Sequence, residues 1–195
     1  GSFLSSVGLS PLFATLSDLE RSGREICISG AVMTELPFGL KAKIFRSAMP
    51  FGTYDPSGEV LDEYLKNNIS VVVPLASVEE CEEKANRNLH RLYEEMGFDV
   101  VALPVEDYAA PRVEALAAVI AKVIAYAEAG RNVVVHCSAG QGRTGTFMAC
   151  MARQVFGLSG EETMAWVRRY IPGAVETPEK EKLVREYGRT KGGYG

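Results

Sequence analysis

Apolar positions along this chain fall into two patterns, unbroken β-branched runs and helically spaced stripes. Val71-Val72-Val73 and Val133-Val134-Val135 belong to the first kind. Such runs, without polar alternation, suit strands of a sheet covered on both faces. From Glu59 onward the pattern predicts a short amphipathic helix over 60–67, a strand over 69–75, one helix or a pair over 77–97 and a strand over 98–103. A long helix over 112–129 ends at Gly130 and feeds the strand that runs into Cys137. A helix over 144–156 carries apolar residues nearly all round, which predicts a deep position. Two more helices, from Ser159 through Tyr170 and over 178–187, are separated by Pro172-Gly173. Strands separated by helices predict one α/β domain, a mainly parallel central sheet flanked by helices and joined by right-handed crossovers.

The start of the chain is less regular. Residues 16–19 read as a short helix with Ser17 as its cap, Ile26-Cys27-Ile28 as a short strand, and residues 43–47 as a strand near a sheet edge. Residues 1–42 are taken as a cover segment of the same domain, 43–190 as its main body and 191–195 as a flexible tail. Alternatively, residues 46–54 line the mouth of a substrate pocket. Ser77-Val78-Glu79-Glu80 resembles a capping box. The charges of this region, Glu79, Glu80, Glu82, Glu83, Glu94 and Glu95 set against Lys84, Arg87 and Arg91, read as a solvated face and not a metal site.

Composition narrows the class. A chain of 195 residues with 47% hydrophobic and 24% charged residues is an ordinary globular protein with room for a sizeable core. A net charge of −4 gives no general attraction to nucleic acid or to anionic membranes. Cys27, Cys81, Cys137 and Cys150 are irregularly spaced and do not resemble a disulfide framework, so a reduced, cytoplasmic setting is expected. Gly1-Ser2 reads as a cloning remnant, and the region after it has neither a basic flank nor a long apolar core; no signal peptide or membrane span is expected. Nothing in the sequence specifies an oligomeric state.

The chemistry concentrates in His136-Cys137-Ser138-Ala139-Gly140-Gln141-Gly142-Arg143-Thr144-Gly145. A strand ends in a cysteine, a small-residue loop follows, and a helix begins. Glycines let backbone N–H groups turn inward, and a helix start adds partial positive charge, so the loop is an anion cradle with a thiol at its floor. Cys137 is the candidate nucleophile, since such surroundings favour thiolate over thiol. Arg143 offers a planar fork that can take two oxygens of a phosphoryl group. The hydroxyl of Thr144 can donate to the sulfur when it leaves, and His136 sits beneath the loop to hold backbone geometry. Spacing alone does not support this reading, because Cys81 and Arg87 repeat it on a charged helix with no glycine and no preceding strand. The competing reading of Cys137 is a buried structural cysteine in a tight turn. Cys150 and Cys27 read as core, either being a conceivable redox partner for Cys137.

A cysteinyl-phosphate route needs an acid for the leaving oxygen. Leu103-Pro104-Val105-Glu106-Asp107-Tyr108-Ala109-Ala110-Pro111 follows a strand end, and parallel strands gather such loops at one crevice. Asp107 is the candidate acid and Glu106 its rival; the alternative is a carboxylate capping the helix after Pro111.

The segment 136–145 resembles the signature loop of the cysteine-dependent protein tyrosine phosphatase superfamily, and Asp107 to Pro111 resembles that family's mobile acid loop. The similarity covers residues 43–187 and is closest to compact dual-specificity-like members of archaeal or bacterial type. It implies that Cys137 attacks phosphorus, that Arg143 and the amides of Ser138, Ala139, Gly140, Gln141, Gly142 and Arg143 bind the phosphoryl group, that Asp107 serves as acid and then base, and that Thr144 aids thiolate departure. No metal or other cofactor is implied, and the implied partner is a phosphorylated protein. One position departs from the resemblance: Lys180 stands where a water-positioning glutamine is expected, so the intermediate hydrolyses slowly or Gln141 shares that task. Neutral Ser138, Ala139 and Gln141 argue for phosphotyrosine or mixed phosphoprotein substrates over a phosphoinositide, which is the alternative. Short, nonaromatic segments around the loop predict a shallow, permissive pocket. Two other classes stay open, a non-catalytic phosphate-binding module and a sulfur-transfer or redox enzyme.

Overall fold

The computed structural model describes residues 33–188. The elements expected over 16–19 and 26–28, together with Cys27 and the tail 191–195, lie outside the described residues. Among the described residues, five strands form one sheet in the order β1-β2-β5-β3-β4. They are β1 (Met33–Leu36), β2 (Ile44–Ser47), β3 (Ile69–Pro74), β4 (Asp99–Val100) and β5 (Asn132–His136). Only β1 runs antiparallel to its neighbour; β2, β5, β3 and β4 are parallel.

The covered faces explain the valine runs. Val133 and Val135 of β5, with Val71 and Val73 of β3, face one apolar cluster, while Val134 and Val72 face the other. Fully burying a valine contributes about 1.5–3 kcal/mol, so neither face tolerates a polar residue there. Helices α1 (Glu59–Lys66), α2 (Val78–Ala85) and α3 (Leu89–Glu95) cover one side through Val60, Tyr64, Cys81, Ala85, Leu89 and Tyr93. Helices α4 (Val113–Glu128), α5 (Gly142–Phe156), α6 (Gly160–Tyr170) and α7 (Pro178–Glu186) cover the other.

Most expected elements form, and two boundaries need correction. β2 lies near the sheet edge as expected, with an unexpected strand, β1, pairing on its outside, and all four β2 residues are buried. Met33-Thr34-Glu35-Leu36 is too short and mixed to announce a strand. β4 is also shorter than the expected 98–103. The chain beyond it stays extended and donates from Val101, Leu103 and Val105 to Val72, Pro74 and Leu75, but Pro104 has no N–H to continue a ladder. Finally, α5 starts two residues before Thr144, which puts Gly142 and Arg143 in its first turn. α5 is buried without a break from Arg143 to Ala152, and Gly145 lets it approach the turn that follows α6, where a Cβ would lie 2.6 Å from that of Ala174.

The expected helical region over 77–97 is a pair, broken where Asn86 takes a left-handed conformation and Asn88 caps the next helix. Ser77 accepts from Glu80 N as a cap should. A full capping box forms instead at Ser159 and Glu162, at the start of α6. Because β2, β3, β4 and β5 are parallel, the segments after their carboxyl ends meet on one side of the sheet. Among the described residues no helix is long and apolar enough to cross a membrane.

Candidate active site

Cys137 directly follows β5 and is 3% exposed. The loop after it is held by its carbonyls. Ser138 O accepts from Met49 N at 2.9 Å, Ala139 O from Arg46 Nη2 at 2.9 Å and Gly140 O from Arg46 Nε at 2.9 Å. In a planar trans peptide the N–H points opposite to the C=O, so fixing these carbonyls on the β2 side turns the following amides away from it. Gly140 is required here: its φ is +74° and a Cβ would sit 2.1 Å from Ser47 O. Arg46 therefore lies beneath the loop, whereas Thr53 and Tyr54 reach the pocket mouth.

His136 is fully buried under the same loop. Its Nδ1 is 2.9 Å from Cys137 O, which can only accept, so Nδ1 donates and Nε2 accepts from the Tyr93 hydroxyl at 2.8 Å. Tyr64 continues the polar contacts, 2.6 Å from Ser47 Oγ. Burial pushes His136 down to about 4, against an opposing pull from the Cys137 carbonyl. The folded chain then refuses a proton that the unfolded chain accepts near 6.5, so acidification from 6.5 toward 4 lowers stability, by up to about 3 kcal/mol. Urea midpoints should fall between about pH 7 and pH 4.5, and less so in His136→Asn; parallel curves for the two proteins would rule this out.

Arg143 projects from the first turn of α5 and is held from three sides. Nη1 donates to Glu80 Oε2 at 2.7 Å and to Val105 O at 2.9 Å, and Nη2 donates to Glu80 Oε1 at 2.8 Å. Asp107 Oδ1 lies 3.5 Å from Nη2. Glu80 Oε1 also accepts from Lys84 Nζ at 2.8 Å. Burial alone would raise the Glu80 carboxyl, but the Arg143 and Lys84 bonds outweigh it and bring it to about 2. Glu80 is thus not part of a solvated face, as the charge pattern of its helix implied. It is a site residue that sequence reasoning missed.

Asp107 and Glu106 separate clearly. Both line a neighbouring groove with Ser77 and Glu83, but Asp107 alone of the two also lines the pocket that contains Cys137. The pocket has a volume of about 410 Å³ and brings together Cys137, Ser138, Ala139, Gln141, Gly142, Arg143 and Asp107. Thr144 is fully buried on α5, and its Oγ1 has no hydrogen-bond partner; the expected donation to the Cys137 sulfur is not formed. The walls correct another expectation. They are not free of aromatic residues, since Tyr54 and Tyr108, 58% and 81% exposed, flank the opening.

Lys180, at the expected glutamine position, is only 1% exposed yet lines the same pocket. Its Nζ donates to Glu176 Oε1 at 2.6 Å, and both groups crowd Gly142, where a Cβ would be 2.8 Å from Glu176 Oε1. Cys81 and Arg87 take no part. Cys81 is buried against the sheet, its thiol pushed up to about 12 by burial, and Arg87 lies over the Phe51 ring. Cys150 is core, likewise pushed up to about 12 by burial. Among the described residues no group of three or more His, Cys, Asp or Glu side chains is arranged to hold a metal ion.

Comparison with known proteins identifies the family. A family model described as a polymorphic toxin system DSP-PTPase phosphatase matches residues 49–155, more than half of the chain. An uncharacterized protein of Methanocaldococcus jannaschii is 40% identical over 94 residues, 47% of this chain and 61% of that protein. The tyrosine-protein phosphatase cdc-14 of Caenorhabditis elegans is 34% identical over 125 residues, 64% of this chain and 16% of that protein. The chain thus spans less than two thirds of either relative. Among solved structures, Tk-PTP in its active form superposes with a TM-score of 0.65 at 29% identity, covering 80% of this chain and 97% of that one. Kinase associated phosphatase superposes with a TM-score of 0.74 at 16% identity over 84% of this chain and 97% of that one, a likeness of fold alone. The chain belongs to the cysteine-dependent protein tyrosine and dual-specificity phosphatase superfamily.

Proposed function

We propose that this protein is a phosphomonoester hydrolase acting on phosphoproteins, on phosphotyrosine and also phosphoserine or phosphothreonine, through a cysteinyl-phosphate intermediate. The observation that carries the reading is the cradle itself: Cys137 at its floor, loop carbonyls fixed on the far side by Arg46 and Met49, and Arg143 and Asp107 at its rim. In the first step the Cys137 thiolate forms an S–P bond as the P–O bond breaks, and Asp107 passes its proton to the leaving oxygen. The amides of residues 138–143 and the Arg143 fork hold the phosphoryl oxygens as charge shifts among them. In the second step water attacks phosphorus, Asp107 takes a proton from it, and the S–P bond breaks. We assign to Thr144 Oγ1 the donation to the departing sulfur, a role supported by its being a buried hydroxyl without a partner, next to Arg143 on α5. We assign catalysis to residues 43–190 in a reducing, cytoplasmic setting, since the nucleophile must be a free thiolate.

Two lysines line the pocket, Lys84 and Lys180, which favours a second reading in which the substrate is a phosphoinositide or another ester with several anionic groups. The solved structure of PTPMT1 in complex with PI(5)P shares the fold at 18% identity. Each lysine is already paired with a carboxylate, Glu80 or Glu176, which lowers its value for extra phosphates and supports the phosphoprotein reading. The test is rapid acid quench during p-nitrophenyl phosphate turnover, followed by mass spectrometry of the Cys137 peptide, with Asp107→Asn and Glu106→Gln alongside. A phosphoryl group on Cys137, and a fall of about 10²-fold in Asp107→Asn but not in Glu106→Gln, is the expected result. No phosphocysteine in any of the three proteins would overturn the route. If Lys180 slows hydrolysis, product release shows a burst before the steady state.

A further inference from the structure

We propose that Lys84 is a positioning residue that holds Asp107 over the cradle, so that α2 is the common mount of both Arg143 and the acid loop. The inference rests on the phosphatase reading above and adds to it how the acid is kept in place. Beyond Val105 the acid loop has no regular structure until α4 begins. Its own bonds do not anchor it: Ala109 N donates to Glu106 O, and Tyr108 N donates to Asp107 Oδ1, both within the loop. Among the described residues, the polar contacts that tie Asp107 to the rest of the protein are Lys84 Nζ at 3.5 Å from Oδ2 and Arg143 Nη2 at 3.5 Å from Oδ1.

Those two cations are not independent. Glu80 Oε1 accepts from Lys84 Nζ at 2.8 Å and from Arg143 Nη2 at 2.8 Å, so one carboxylate fixes both. Glu80 and Lys84 are four residues apart on α2 and share a face, which holds the ammonium in register with the guanidinium. Arg143 must face the phosphoryl group, which leaves Lys84 as the contact able to stay with Asp107 when substrate binds. The Lys84–Asp107 pair joins partly exposed groups, with side chains 25% and 46% exposed, and such pairs add little to stability. Its use lies in geometry, because a general acid must sit within hydrogen-bond reach of the leaving oxygen.

The experiment compares kcat of the full chain for two aryl phosphates, phenyl phosphate with its poor leaving group and a nitrophenyl ester with a good one. Lys84→Met keeps the aliphatic stem and removes the charge. Its kcat should fall about tenfold on phenyl phosphate and less than about threefold on the nitrophenyl ester, and Lys84→Arg should restore most of the loss. In an Asp107→Asn background, Lys84→Met should cost nothing further on either substrate, since the two residues act as one unit. Equal falls on both esters, no fall at all, or full additivity with Asp107→Asn would overturn the proposal. If Asp107→Asn itself shows no leaving-group dependence, the acid assignment fails, and this inference with it; a flat Lys84→Met beside a steep Asp107→Asn sinks the inference alone.

Discussion

Cys137→Ser is expected to lose p-nitrophenyl phosphate turnover by on the order of 10⁴-fold or more while the chain stays folded. Serine is close in volume to cysteine, and the site it would occupy is 3% exposed at the end of β5, so the loop bonds from Arg46 and Met49 have no cause to change. What changes is the nucleophile: a serine hydroxyl attacks phosphorus far less readily than a cysteine sulfur. The protein should therefore still bind phosphate or vanadate in the pocket and show an unchanged melting temperature. Turnover within tenfold of the parent, in a protein whose melting is unchanged, would mean that the sulfur is not the attacking atom.

Arg143→Lys is the second large effect, a loss of about 10²–10³-fold in kcat/KM, equivalent to roughly 3–4 kcal/mol of transition-state stabilisation. The change keeps the positive charge and removes the fork. In the native protein Nη1 and Nη2 each hold an oxygen of Glu80, and Nη1 also holds Val105 O; one ammonium cannot reproduce that pattern. Two consequences separate. The phosphoryl group loses paired donors, which appears in kcat/KM, and Glu80 loses its bidentate partner in a largely buried position, which lowers the melting temperature. Adding Glu80→Gln should recover part of the stability and none of the activity. A lysine enzyme within tenfold of the parent would show that a point charge suffices and that the fork has no catalytic use.

The parts of this site that were legible in the sequence are those whose chemistry is contiguous. Strand, cysteine, glycines, arginine and buried helix follow one another over residues 133–156, and each step has its own residue signature, so the cradle could be read without any tertiary contact. Asp107 was nearly as legible, because a carboxylate just past a parallel strand end is delivered to the crevice by topology alone. Arg46 and Glu80 were not. They reach the site across 94 and 63 positions, and nothing in Lys43-Ile44-Phe45-Arg46-Ser47 or in a helix rich in Glu and Lys says which charge turns inward. Glu80 sits among Glu79, Glu82 and Glu83 on one acidic helix, and nothing in their spacing says that it is the one that faces Arg143. β1 was missed for a related reason: it is recognised by the partner it finds, since its four residues carry no β-branched run.

Tyr54 and Tyr108 teach the same lesson at the pocket mouth. Each stands alone in its local sequence, on different segments, and they become a pair of exposed rings only because the segments after β2 and β4 meet at the sheet's carboxyl end. Rings at the opening add apolar wall to a cradle otherwise built from polar backbone, in place of the nonaromatic rim that the sequence predicts.

Because α5 is buried from Arg143 to Ala152, its first turn cannot fray without exposing the core. Losing the cradle and losing the fold are therefore one event. In any preparation the titre of competent sites equals the folded fraction, and heat or urea withdraws molecules from the active pool whole instead of dimming each one.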